Sequence, residues 1–274
     1  MSDPGGRFTA WDEAAWNLFA AELDAWQAGG RRATFWWRDD DAGSPHPGLE
    51  RVLALAARAG VPLGLAVVPD WLTPEVKAAI AAAPPSVVVL QHGWAHANHE
   101  PPAPGGGKVR PAEFGPARPP DVAVAEATAG WARLRGALGE RAWPAFVPPW
   151  NRIAPAVVAR LPAVGYRALS GFGPRATAEA APGLHQLNCH ADPIRWREAR
   201  RFAGPTATLA RLREHLADRR TGRAHPEEAT GLLTHHRDMD AEFWAFLEEW
   251  LTRVGIHRGA AFPPIPALLE AAVS

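Results

Sequence analysis

One ordering constrains this chain more than any other: short apolar runs of strand length alternate with helical stretches, and chemically active residues cluster where the runs end. Runs of strand character stand at 33–38, 63–68, 87–90, 145–147 and 231–234, with further extended segments at 167–170 and 184–189. Helical stretches lie at 47–60, from 73 onward, and at 121–138, 156–164, 206–219 and 240–254. Thr73-Pro74 opens one of them with a cap followed by proline, and Asp121 reads as the cap of another. Alternation this dense predicts an α/β fold with a mainly parallel sheet. About seven such units in 274 residues fit a distorted, closed or nearly closed (β/α) barrel better than the alternative, a doubly wound open sheet.

Ahead of the first strand, Thr9 starts a helix with Asp12 in its first turn. Trp16, Phe19, Leu23 and Trp26 follow at helical spacing, and Gly29-Gly30 stops it. The chain therefore reads as one barrel domain over 1–274, with 1–30 as an N-terminal helical extension. The stretch 97–120 is rich in Pro and Gly, includes Gly105-Gly106-Gly107, and reads as a lid or a mobile excursion.

Composition excludes several classes. Basic and acidic residues balance at 29 each, which leaves no electrostatic footprint for nucleic acid or an anionic membrane. The single cysteine, Cys189, cannot form an internal disulfide. The first residues lack the pattern of a signal peptide, and no apolar run is long enough to span a bilayer. A soluble, cytoplasmic protein is expected.

The clusters at the strand ends carry the chemistry. Arg38-Asp39-Asp40-Asp41 follows the run Thr34-Phe35-Trp36-Trp37, and three adjacent acids repel unless a cation offsets them. The bland alternative is a solvated acidic turn. His92 and His96 follow the run at 87–90 and share one face if the loop makes a helical turn, a spacing suited to one metal. His99 is three residues further on. Val147-Pro148-Pro149-Trp150-Asn151 ends another strand; the prolines remove donors, so the amides of Trp150 and Asn151 stand out. Alone, that motif is a rigid loop. His235 and His236 follow the run at 231–234, and Asp192 and Trp196 follow the one at 184–189. Active sites of α/β folds form at the C-terminal ends of strands. One Asp with two His makes a three-ligand site with a position left open for water. Of the remaining histidines, His46, His185, His190, His215, His225 and His257 read as structural or surface residues.

Taken in order, these clusters resemble the motifs of the polysaccharide deacetylase superfamily, of the carbohydrate esterase type that includes chitooligosaccharide deacetylases. The resemblance runs over about 33–236: Phe35 to Gly43 for the family's Asp-Asp-Gly, His92-Gly-Trp-Ala-His96 for His-Ser/Thr-x-x-His, Phe146-Val-Pro-Pro-Trp-Asn151 for Phe-Arg-Pro-Pro-Tyr/Trp-Gly, Arg195-Trp196 for Asp-Trp, and Leu233-Thr-His235 for Leu-x-His. It implies a distorted barrel and metal-dependent removal of an N-acetyl or O-acetyl group. By the same resemblance, Asp41, His92 and His96 hold the metal and Asp40 is the base. His235 is the acid for the leaving amine, and the Trp150 amide helps hold the oxyanion. Zinc is the expected ion, with cobalt, nickel and iron compatible with such ligands. Trp150, Trp196 and Pro149 are expected to line a small carbohydrate or amide substrate. Of Trp36 and Trp37, one should face the barrel interior and one the helices.

Three departures stand out. Gly93 replaces Ser/Thr, a mild change for a side chain that is not a ligand. Val147 replaces the Arg that orients the base in the family, and Arg195 replaces the Asp that tunes the acid. Without that carboxylate the imidazolium of His235 is stabilised less. Arg38 is the candidate to orient the base instead, and Asp192 the candidate to supply the carboxylate. The triple acid leaves two registers, with base and ligand either Asp40 and Asp41, which is preferred, or Asp39 and Asp40. Three functions follow: a deacetylase of an N-acetylated sugar or similar small amide, a hydrolase of another non-peptide C–N bond, or an inactive sugar-binding barrel.

Overall fold

The computed structural model describes residues 10–102, 105, 110–197 and 200–270. Thr9, expected to open the first helix, lies outside them, as do Gly106 and Gly107. In chain order the first half runs α1 Ala10–Ala28, β1 Ala33–Ala42, α2 Pro47–Ala59, β2 Leu63–Val67, α3 Pro74–Ala82, β3 Val87–His92, α4 Pro120–Leu138 and β4 Ala142–Val147. Then come α5 Pro155–Val158, β5 Ala168–Leu169, β6 Glu179–Ala181, β7 Leu184–Gln186, β8 Ile194–Arg195 and β9 Arg201–Phe202. The last elements are α6 Pro205–Thr221, β10 Thr230–Thr234, α7 Ala241–Ile256, β11 Ala260–Ala261 and α8 Ile265–Glu270.

The main sheet follows the order β10-β1-β2-β3-β4-β5-β7, with every neighbouring pair parallel. β6 adds an antiparallel edge to β7, and β11 pairs with the start of β1. Beyond β7 the chain stays extended. Its Leu187 amide donates to the Leu169 carbonyl at 3.0 Å, and a parallel bridge joins Ala191 to Leu232. Leu233 N–H donates to the Ala191 carbonyl at 2.8 Å. The seven strands thus make the expected distorted barrel, with a seam held by one bridge instead of a ladder.

The strands form where both faces can be buried. β2 and β3 are buried at every position, as a parallel strand between helices and a packed interior requires. β1 runs further than its apolar part, so the three acids lie within the strand and not after it. Pairing of Asp39 with Thr234 on one side and of Ala42 with Val67 on the other supplies ladder partners that override the turn preference of Asp. Trp36 packs inside the barrel with Ala66, Leu90, Val147 and Leu233, while Trp37 packs outward under the helices with Phe35 and Trp250. Both indoles are satisfied, Trp36 by the Asn188 carbonyl at 2.9 Å and Trp37 by Thr234 Oγ1 at 2.8 Å. Trp16, Phe19, Leu23 and Trp26 of α1 join that outer core, the face their spacing predicts.

Some boundaries differ from the sequence reading. α4 is preceded by Pro119 in the cap position, so Asp121 sits in the first turn and its carboxylate meets Arg160 instead. α5 ends at Val158, and turns replace the rest of the expected helix. The described part of 97–120 is not a loose excursion. His99 N–H donates to the Ala112 carbonyl, Asn98 Oδ1 accepts from Ala112 and Glu100, and Phe114 pairs with Ile153. No helix among the described residues is long and apolar enough to cross a membrane.

Candidate metal centre

Asp41, His92 and His96 meet at the C-terminal end of the barrel. Asp41 Oδ1 lies 3.2 Å from His92 Nε2 and 3.3 Å from His96 Nε2, and it accepts no hydrogen bond. His92 closes β3, and its Nδ1 faces the Val147 carbonyl at 3.0 Å. That contact places the ring proton on Nδ1 and leaves the Nε2 lone pair toward Asp41, the arrangement a metal-binding imidazole uses. His96 does not sit on a helical turn. It reaches the centre through a left-handed backbone, with φ of 55°, flanked by the rings of Trp71 and Trp150. Asp41 is left-handed too, with φ of 69°. Burial works to raise the Asp41 carboxyl pKa, but the neighbouring His92, with His235 and His96 beyond, holds it well below the usual range. Burial and the neighbouring His92 push His96 down. His92 is raised despite its burial, because Asp40 and Asp41 stabilise its cation.

Alternation along β1 separates the three acids. Asp39 turns outward, where Thr234 Oγ1 donates to its Oδ2 at 2.6 Å and His236 binds it through both ring and amide. His236 is therefore no substitute for His235. His99 is exposed and stands outside the cluster. Arg38 and Asp40 turn inward together, and both are buried. Arg38 Nη1 also donates to Ser170 Oγ at 2.7 Å, and Nη2 to Asn151 Oδ1 at 2.7 Å.

The other expected residues divide. Trp150 has φ of 56°, and its ring lies 4.3 Å from that of His96. The Asn151 amide is not a free donor, since it bonds the Pro148 carbonyl at 2.9 Å, leaving the Trp150 amide as the candidate. Pro149 is buried beside Gly93, where a Cβ would lie 2.6 Å from its Cγ. His235 is nearly buried, and its Nδ1 has no hydrogen-bond partner among the described residues. Trp196 and His235 pack edge to face, with ring centroids 4.7 Å apart. Asp192 does not supply the carboxylate that Arg195 displaced. It accepts from Trp196 Nε1 at 2.6 Å and from the Ile194 amide at 3.1 Å, so it reaches His235 only through the indole.

Sequence reasoning missed one participant. Glu113 is fully buried beneath the histidine loop and accepts from the Trp94 and Ala95 amides. Gly93 is therefore not a mild replacement. A Cβ there would lie 2.0 Å from Glu113 Oε2.

A second acid–histidine cluster, His190, His215 and Glu228, is buried elsewhere in the barrel. Its rings stack 3.4 Å apart, with Nε2 atoms 3.2 and 3.5 Å from the Glu228 carboxylate. Hydrogen-bond direction argues against a metal here. Gly231 N–H donates to His190 Nδ1, which puts the ring proton on Nε2, facing the carboxylate. Glu228 also accepts the Arg175 amide, so its oxygens are already engaged.

No family model matches this chain, and no curated protein matches it. Solved structures do. A Mycobacterium smegmatis protein assigned as a polysaccharide deacetylase superposes over 88% of this chain and 90% of its own, at 14% identity and a TM-score of 0.62. The chain has the polysaccharide deacetylase fold. The same fold is shared with a family 4 acetyl xylan esterase from Clostridium thermocellum, in complex with a cobalt ion, at 14% identity and a TM-score of 0.51 over 87% of this chain and 91% of that one. A family 4 carbohydrate esterase pseudoenzyme from Bacillus anthracis matches at 14% identity and a TM-score of 0.55, over 87% of this chain and 66% of that one. Within a polysaccharide deacetylase fold, then, the chemistry must be read from this chain's own residues.

Proposed function

We propose that this protein is a metal-dependent deacetylase that hydrolyses the acetyl group of an N-acetylated sugar or similar small amide. The observation that carries the proposal is the Asp41–His92–His96 cluster with the Arg38–Asp40 pair beside it on the same strand. Three donors converge, Asp41 Oδ1 has no hydrogen bond, and His92 Nε2 is bare, so these residues fit a divalent ion such as zinc or cobalt. Such an ion supplies Lewis acidity to the acyl carbonyl and to the attacking water.

The protein's own groups do the rest. Asp40, oriented by Arg38, takes the proton of the attacking water on a carboxylate oxygen. The Trp150 amide donates to the oxyanion that develops on the acyl oxygen. His235 delivers a proton to the amide nitrogen, which leaves poorly without one. Trp196 covers His235 and, 40% exposed, offers a face to a sugar ring.

A specific observation favours a second reading, an inactive binding barrel. Among the described residues His235 Nδ1 has no hydrogen-bond partner to stabilise its cation, and a pseudoenzyme is among the proteins that share the fold. A substrate panel tests the proposal: acetate release from N-acetylated sugars supports it, ring opening of cyclic amides without acetate moves the activity to another C–N bond, and binding without turnover favours the inactive barrel.

A further inference from the structure

Gly93 has φ of 59°, and the two amides that follow it, of Trp94 and Ala95, point to one place. Successive amides arranged in this way make a concavity for an anion. Here the anion comes from the chain itself, 18 and 19 residues on. Glu113 Oε1 accepts from Ala95 at 2.7 Å and Oε2 from Trp94 at 3.1 Å. The carboxylate is fully buried, and Gly93 leaves the space it occupies.

The strap that carries Glu113 is fixed on both sides. Ala154 N–H donates to the Phe114 carbonyl at 2.8 Å, Arg118 donates to the Glu113 carbonyl, and Asn98 Oδ1 accepts from Ala112. The residue directly after the clamped amides is His96, which holds a left-handed backbone, uncommon for a residue other than glycine. Trp71 and Trp150 flank its ring. Gly93 N–H donates to the Val147 carbonyl, Gln91 Nε2 to the Gly93 carbonyl and Asp70 N–H to the Trp94 carbonyl, while Glu113 takes the two amides of the turn that lie next to His96.

We propose that Glu113 is a positioning residue for the metal centre, an internal anion that locks the 93–95 turn so that His96 Nε2 faces Asp41. The inference rests on the metal-centre reading above and adds to it a residue that touches neither metal nor substrate. It ties the strap at 110–118 to ion affinity, so disturbing the strap should loosen the ion.

The test is a cobalt(II) titration of the whole protein, followed by the visible absorption of the bound ion, for wild type, Glu113→Asp and Glu113→Gln. The Gln variant loses the anion while keeping the shape. Its dissociation constant should rise roughly 10- to 100-fold, the usual effect of removing a group that orients a ligand, with the Asp variant between. The cobalt spectrum should also change as His96 shifts. Amide hydrogen exchange of the metal-free wild type gives a measurement that needs no variant: Trp94 and Ala95 should be strongly protected. Cobalt affinity and spectrum unchanged in Glu113→Gln, or fast exchange at those two amides, would overturn the inference alone. A wild type that binds no cobalt would overturn the metal-centre reading, and this inference with it.

Discussion

Arg38 and Asp40 lie two residues apart on one face of β1 and meet as a buried ion pair, with Nη2 donating to Oδ2 at 2.9 Å and Nε 2.8 Å from Oδ1. Side chains at i and i+2 of a strand share a face, so one strand supplies both the proposed base and the group that orients it. Arg38 thereby directs Asp40, the task assigned in the family to the position Val147 holds here. Replacing Arg38 with Ala should lower kcat roughly 10²-fold through misplacement of the base, with cobalt affinity little changed. Lys, a point charge that cannot fork, should restore only part of the loss. Breaking so buried a pair also costs about 3–5 kcal/mol, which thermal melts would register separately.

The two outer acids should separate by readout. Asp41→Asn should lose most of its cobalt affinity, because Asp41 Oδ1 faces both histidine Nε2 atoms. Asp39→Asn should keep the ion and instead lose about 1–3 kcal/mol of stability, as its buried bonds to Thr234 and His236 weaken. Cobalt titration beside thermal unfolding of both variants checks the assignment, and intact binding in Asp41→Asn would favour the other register.

Asp192 and His235 should differ sharply. Asp192→Asn leaves an oxygen for the Trp196 indole and should change kcat only a few-fold, since nothing joins Asp192 directly to His235. His235→Asn should lower kcat roughly 10²- to 10⁴-fold by removing the acid. An Asp192→Asn loss as large as that of His235→Asn would restore the idea of Asp192 as its carboxylate partner.

Gly93→Ala should be severe, because Gly93 is buried. The added Cβ meets Glu113 Oε2 and Pro149 Cγ at 2.0 and 2.6 Å, at a φ that favours glycine. A loss of about 2–4 kcal/mol in thermal or denaturant unfolding is expected, with weakened cobalt binding in the protein that still folds.

Acidification should act first on the buried second cluster. Burial pushes His190 down from 6.5 to about 4. Burial works to raise Glu228, yet its bonds to His190 and His215 bring it from 4.5 to about 2. For both groups the unfolded chain takes up protons first. Their contribution is complete above about 6.5, the His190 share is lost as pH falls toward 4, and the Glu228 share is lost from about 4.5 toward 2. Melting temperature should fall across that window, and a His190→Gln variant, less stable at neutral pH, should show a shallower fall.

Much of this was legible in the sequence, for a physical reason. Strand ends in an α/β fold are where polar residues can gather, so Asp41, His92, His96 and His235 announced themselves by following apolar runs. The register of the acids was less legible, because only the pairing of β1 with β10 and β2 shows that it continues through them and turns Asp39 outward. Arg38 was a candidate from adjacency, and its geometry made it specific. Glu113 was hidden: it is remote along the chain, and the glycine that admits it reads as a simple loss of a hydroxyl. His190, His215 and Glu228 were illegible for the same reason, since their meeting depends on three separate elements.

Acetate release from an N-acetylated chitooligosaccharide, measured before and after chelation and after cobalt or zinc is restored, tests the central claim most directly. The account predicts release that falls to background on chelation, returns when one ion per chain is bound, and is absent in Asp41→Asn. An ion bound at that stoichiometry with no acetate from any N-acetylated substrate, or release that chelation leaves untouched, would contradict it.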